Sequence, residues 1–353
     1  MQDEIGNGRK AASAAPRLSV LDQAPVAEGS TGAQALRNSV DLAQLADSLG
    51  YHRYWVAEHH GTPALAGASP EVLIGPIAAA TEQIRVGSGG VMLPHYSPLK
   101  VAESFSMLSG LFPGRIDLGI GRAAGTDAQT TLALQRDRRQ SAPDDFPKQL
   151  AELRGYLSGE MPQGHPFARL AALPGRPGVP DLWLLGSSPQ SGVWAAELGL
   201  PYMFADFINS QGAQIARMYR ERFEPSRDLR EPRAAVAAWV LCADTDAEAE
   251  RLAASGQMLL ALLHRGQLIP VPTPETAARF LADQDPYAAL LERPRRRIVG
   301  SPGAVRAGIE ALAREYQAEE IMIVTITHDH QARRRSYELV AETMGLTAQP
   351  AGV

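Results

Sequence analysis

The chain has 353 residues, of which 45% are hydrophobic and 21% charged, an ordinary globular balance with ample apolar material for a core. Its 34 basic and 39 acidic residues leave a formal net charge of −5, which argues against nucleic acid as a main partner, because a phosphate backbone needs a basic face. The single cysteine, Cys242, rules out an internal disulfide framework and a Cys-rich zinc site, and reduced cytoplasm is the compartment it suits. No run reaches the ~18 apolar residues of a membrane span, so no membrane partner is expected. Residues 1–16 carry charge without an apolar centre, which is not a signal peptide, and they read as a disordered lead-in.

From residue 17 the pattern alternates strand and helix. Residues 18–22 (LSVLD) form a short apolar strand, and the spacing of Leu42, Leu45, Ala46 and Leu49 predicts a helix over 33–49. Strand two is 54–57 (YWVA), followed by Glu58, His59 and His60 and a helix over 70–81. Strand three, 84–93 (IRVGSGGVML), is interrupted by glycines. Ser97 and Pro98 open a helix carrying Val101, Phe105, Leu108 and Phe112 on one face. Strand four is 115–121, ending at Arg122, and strand five is 182–185, ending at Gly186, Ser187 and Ser188. Pro189 opens the next helix; strands six, seven and eight are 202–205, 234–242 and 320–327, with helices from Asp246, from Ser301–Pro302 and to about Met344.

Eight strands, each followed by a helix and several of them continuously apolar, predict a (β/α)8 TIM barrel of one domain over 17–353. Two segments exceed the repeat, 126–180 and 265–300, both rich in Pro and charge, and read as insertions at the C-terminal rim. The arginines 293, 295, 296 and 297 in the second read as a solvated loop or a phosphate-side patch.

In this fold the chemistry collects at the C-terminal ends of the strands. The Gly-Ser-Ser-Pro stretch puts free peptide N–H groups and the hydroxyls of Ser187, Ser188 and Ser191 at a helix start, with Arg122 on the neighbouring strand. That composes a phosphate cradle, or else Ser188 simply caps the helix. Gly87, Gly89 and Gly90 inside a strand suit a flat ring lying against backbone, or close packing of neighbouring elements. His59 and His60 point opposite ways in an extended segment, so one can face the site as acid or base while the other packs, or both are structural. Glu58-His59-His60 lacks metal-ligand spacing, and His328-Asp329-His330 reads as a loop hydrogen-bond network, so no metal is expected.

The ordered set SVLDQAP (19–25), GYHRYWVAEHH (50–60), VGSGGVMLPHYS (86–97), PGRIDLGIGR (113–122), WLLGSS (183–188) with LGLPYMF (198–204), and VGSP (299–302) resembles the bacterial luciferase-like flavin monooxygenases, nearest their single-chain branch. The resemblance spans almost the whole chain. It implies reduced FMN as cofactor, supplied by a separate flavin reductase, with molecular oxygen and a small organic molecule as co-substrates and a C4a-peroxyflavin as the oxygenating species. It also implies a homodimer. It places a non-proline cis peptide at Gly89–Gly90 under the flavin ring and His59 as the catalytic histidine. The cofactor-binding positions it implies are Gly89, Gly90, Met92, Arg122, Gly186, Ser187, Ser188 and Ser191. Ser187 stands where the luciferase catalytic chain has a glutamate, and Gly121 where it has its reactive cysteine, so light emission is not implied. Two alternatives stay open: a deazaflavin-dependent hydride-transfer enzyme of the same fold, and a non-catalytic flavin-binding protein.

Overall fold

The computed structural model describes residues 15–122, 126–135, 138–139, 144–170, 175, 178–283 and 295–347; all but the last two positions of the expected lead-in, and Arg293, lie outside the described residues. Its elements in chain order are β1 (Arg17–Asp22), α1 (Gly32–Ser48), β2 (Arg53–Val56), α2 (Pro70–Ala79), β3 (Arg85–Met92), α3 (Pro98–Leu111), β4 (Ile116–Gly121), α4 (Ala128–Leu134) and α5 (Phe146–Ser158). Then come β5 (Asp181–Gly186), α6 (Pro189–Glu197), β6 (Tyr202–Ala205), α7 (Ala213–Glu221), β7 (Ala234–Cys242), α8 (Asp246–His264), α9 (Pro274–Ala282), β8 (Arg297–Gly300), α10 (Pro302–Tyr316), β9 (Glu320–Val324) and α11 (His330–Met344).

Eight of the strands close on themselves. β1 to β7 pair in sequence, β9 pairs with both β7 and β1, and every pairing is parallel. This is the (β/α)8 barrel. The expectation of eight strands needs one correction. Arg297–Gly300, read as part of an insertion, is a ninth strand that pairs with the C-terminal end of β7, Trp239 to Cys242, outside the ring. The last barrel strand also ends at Val324 rather than at residue 327. The segment 126–180 carries α4 and α5, and 265–300 carries α9 as well as β8.

Helix starts follow local chemistry. Thr31, Thr245, Thr273 and Asp329 accept hydrogen bonds from backbone N–H groups three residues on, and α2, α3, α6 and α10 open with a proline. No helix among the described residues is long and apolar enough to cross a membrane.

Strand residues alternate between two apolar shells. Outward-facing Val20, Tyr54, Val86, Leu118, Val236 and Ile321 pack under the helices. Inward-facing Leu21, Trp55, Trp183, Met203, Met322 and Val324 fill the barrel. The strand starts close the barrel floor with charge: Arg53, buried, pairs with Asp117 at 2.5 Å and Glu320 at 3.0 Å. The inner cluster above it has half-buried members, Leu185, Phe207 and Trp239, and there the C-terminal mouth lies open.

Candidate active site

The glycines of β3 let two strands press together. A Cβ on Gly87 would lie 2.5 Å from the carbonyl oxygen of Asp117, and one on Gly90 would lie 2.7 Å from that of Gly119, both on β4. The β3–β4 register slips by one residue between Gly89 and Val91, and the Gly89–Gly90 peptide is cis, at the bond to which the resemblance points. Gly89 also abuts Leu21 and Trp55 of the inner shell. The close approach is therefore strand on strand, and of the two glycines of the cis bond Gly89 is half-buried and Gly90 buried.

One carboxylate braces this stretch. Glu58 is fully buried at the end of β2, and its Oε2 accepts the N–H of Met92 at 2.9 Å. Its Oε1 lies 2.8 Å from His60 Nε2 and accepts the Tyr96 hydroxyl at 3.1 Å. Met92 thus enters the site through its backbone, as the residue that ties β3 to Glu58. The His60 ring meets His95 edge to face at 5.9 Å, so His60 is the packed member of the histidine pair.

His59 is the other member. Its N–H donates to Gly67 O at 2.7 Å, while its Nδ1 is buried with no hydrogen-bond partner. Burial, with the neighbouring His60 as the lesser cause, brings its pKa down to about 4. At neutral pH the ring is uncharged, so it can accept a proton or a hydrogen bond.

Across the mouth, β5 runs into α6. A Cβ on Gly186 would meet the Ser191 Cβ at 2.5 Å, which explains the glycine at this turn. Ser188 is the N-cap residue of α6 by backbone, and its hydroxyl makes no capping bond. Neither Ser187 nor Ser188 spends its hydroxyl on another described residue; the Ser187 carbonyl accepts from Asn209 at 2.9 Å. Ser191 differs. It is buried, donates to Ser188 O at 2.8 Å and lies 3.0 Å from the Tyr202 hydroxyl, so its hydroxyl faces inward. The exposed Arg122 guanidinium pairs with Asp144 at 2.5 Å and lies 5.5 Å over the Trp194 ring of α6. Arg122 is thereby set against α6 through Trp194.

Other candidates fall away from it. Asp22 is buried and neutralised by Arg333 at 2.6 Å, with the Tyr54 hydroxyl at 2.6 Å. His328 reaches Glu28 O, Asp329 caps α11 and His330 pairs with Asp41 at 2.7 Å, a loop network as the spacing suggests. Among the described residues no group of three or more His, Cys, Asp or Glu could hold a metal ion. Cys242 is buried, its thiol pushed up to about 11 by desolvation, which makes it inert. Sequence reasoning placed Glu58 at the rim without a role. The signal available was an acidic residue at a strand end followed by two histidines.

Residues 17–319 match the family model of luciferase-like monooxygenases. The chain belongs to that family. It is similar to the uncharacterized protein YwcH of Bacillus subtilis, 48% identical over 327 residues that cover 92% of this chain and 98% of the relative. It is also similar to the N-acetyl-S-alkylcysteine monooxygenase of the same organism, 37% identical with 93% and 98% covered. Among solved structures, apo-MsnO8 is 44% identical and superposes with a TM-score of 0.87 over 95% of this chain and 99% of that one.

Proposed function

We propose that this member of the family is a flavin-dependent monooxygenase that receives reduced FMN from a separate reductase and oxygenates a small organic substrate. The observation that carries the reading is the half-buried Gly89 backbone of β3, without a side chain, on a barrel that also holds a buried His59 Nδ1 with no hydrogen-bond partner. The residues present fit the cofactor. A planar ring needs a face without side chains, and β3 offers one. A phosphate needs donors, and the first turn of α6 offers N–H groups with the hydroxyls of Ser187 and Ser188, beside Arg122. Ser191 contributes by holding the turn, since its own hydroxyl is occupied.

When bound, reduced FMN supplies two electrons to O2, so that one oxygen atom enters the substrate and the other leaves as water. The rest belongs to the chain. Glu58 fixes the β3 backbone through Met92 N and holds His60 and Tyr96 in place. Neutral His59 accepts a proton at Nδ1. The apolar inner shell of Leu21, Trp55 and the adjoining Leu185 keeps water from the inner side of the ring site. Arg122 would hold the phosphate in place of Asp144, at little cost because that ion pair is exposed. The relative that acts on N-acetyl-S-alkylcysteines makes such thioethers the first substrates to try.

The test is an anaerobic titration with reduced FMN followed by rapid mixing with oxygen while the absorbance spectrum is recorded. We expect saturable binding, about tenfold or more weaker in Arg122→Gln, and a transient spectrum distinct from both reduced and oxidised flavin. Binding of a reduced deazaflavin instead of FMN would move the chain to hydride transfer. Flavin binding with neither a transient nor substrate turnover would make it a binding protein.

A further inference from the structure

The arginine run at 295–297 divides in the folded chain. Arg296 is engaged by Glu315 and lies 3.5 Å from Asp206, and Arg297 pairs with Glu250 at 3.3 Å. Arg295 meets no carboxylate among the described residues. Its guanidinium donates to Phe207 O at 3.4 Å and lies 2.9 Å from His264 Nε2. It is half-buried, and desolvation lowers its pKa from the ordinary arginine value. Asp206, next to Phe207 in the chain, accepts the Tyr316 hydroxyl at 2.7 Å and lies 3.5 Å from Arg296 rather than from Arg295. A cation held partly out of water, with no carboxylate against it among the described residues, is costly unless something else supplies the negative charge.

Its position says what that would be. The same Phe207 carbonyl accepts Trp239 Nε1 at 3.2 Å, and the Phe207 and Trp239 rings meet edge to face at 5.6 Å. Both pack against the inner barrel cluster, as Leu185 does, and a Cβ on Gly90 would lie 2.7 Å from Leu185 Cδ1. Leu185, which Gly90 approaches, and the aromatic pair thus pack on the same inner cluster, and Arg295 donates to Phe207 at its edge. Phe207, Trp239 and Leu185 are half-buried, so each keeps some surface for a ligand.

We infer that Arg295 is the anion anchor of the substrate site and that the substrate is a small amphipathic carboxylate, with its acid group on Arg295 and its apolar, oxidisable end on the Phe207–Trp239 wall facing Gly89–Gly90. This rests on the monooxygenase reading for the oxidation, but not for the anchoring. The guanidinium fork matches a carboxylate with two parallel hydrogen bonds, and desolvation strengthens both. An ester of the same molecule keeps the shape and loses the charge.

The experiment is calorimetric titration of the full chain, with and without saturating oxidised FMN, using N-acetyl-S-methylcysteine and its methyl ester. In the wild type the acid binds at least about tenfold more tightly than the ester. In R295Q the two bind alike, R295K keeps part of the difference, and R297Q, altered on the Glu250 ion pair, keeps all of it. Equal binding of acid and ester to the wild type, a preference that survives in R295Q, or binding of neither probe overturns the anchor. Oxygen uptake with reduced FMN is measured separately. An acid preference without oxygenation sinks the monooxygenase reading alone, and oxygenation without an acid preference sinks the anchor alone.

Discussion

His59 carries the clearest pH signature of any single residue in the site. Burial brings its pKa to about 4, and His52, half-buried with an unpartnered Nε2, also lies at about 4 for the same reason. In the unfolded chain both titrate near the ordinary value of about 6.5. Between those values the unfolded state binds protons that the folded state refuses. Stability is therefore complete above about pH 6.5 and is lost as the pH falls toward 4. We expect the urea midpoint to drop across that window, and the His59→Gln variant to show a slope shallower by up to one proton. An unchanged slope would remove His59 from the titration. What the sequence offered here was residue type and place: Glu58, His59 and His60 after a strand that ends at the mouth. It could not say that Glu58 meets His60, Tyr96 and the Met92 N–H at once, because Met92 and Tyr96 come from another segment, more than thirty residues on. Nor could it say that the Ser191 hydroxyl faces Tyr202 across the β5–β6 pair rather than the mouth. Arg295 was invisible as an individual, since a run of four arginines reads as one solvated patch until each partner is known.

β3 is the element whose local sequence and local structure agree most closely. Its glycines break the strand pattern, and the structure explains the break by the approach of β4. At Gly90 an added Cβ would meet backbone, Gly119 O at 2.7 Å and Gly119 C at 3.1 Å, which cannot turn aside as a flexible side chain could. We expect Gly90→Ala to lose about 1–3 kcal/mol of stability by overpacking and to weaken FMN binding further, measured by urea unfolding and flavin titration on the same preparation. Gly303→Ala is the control, because nothing lies within 4 Å of a Cβ built there. Full stability in Gly90→Ala would mean that β3 and β4 can separate, and the glycine would lose its structural cause. β8 shows the opposite relation between sequence and structure. Four residues, RIVG, are too short for a periodic signal, and the arginines before them resemble a loop. Only the neighbouring end of β7 makes them a strand. The short helices α4 and α9 were likewise hidden in segments whose prolines and charges spoke for loops.

At the scale of the whole barrel, the alternation of strand and helix was legible because each parallel strand is buried on both faces and reads as an apolar run. The floor was not. Arg53, Asp117 and Glu320 look like the polar ends of three separate strands, and only closure of the ring brings residues 64 and 267 positions apart into contact. There they form a desolvated network. Asp117 accepts Arg53 at 2.5 Å, Arg85 at 2.5 Å and Trp55 Nε1 at 2.9 Å, while Glu320 accepts Arg53 and the Ser19 hydroxyl at 2.5 Å. The network joins β1, β2, β3, β4 and β9, so it tests whether those strands have met in register. Asp117→Asn keeps the shape but leaves two guanidinium groups facing a neutral amide. We expect a loss of about 3–5 kcal/mol, the usual cost of stripping one partner from a buried ion pair, read as a fall in the urea midpoint. Added salt should restore little of it, because screening acts weakly on buried charge. A loss under about 1 kcal/mol would place Asp117 in the range of exposed pairs. The floor would then hold water enough to solvate Arg53, contrary to its burial of all but 1% of the side chain.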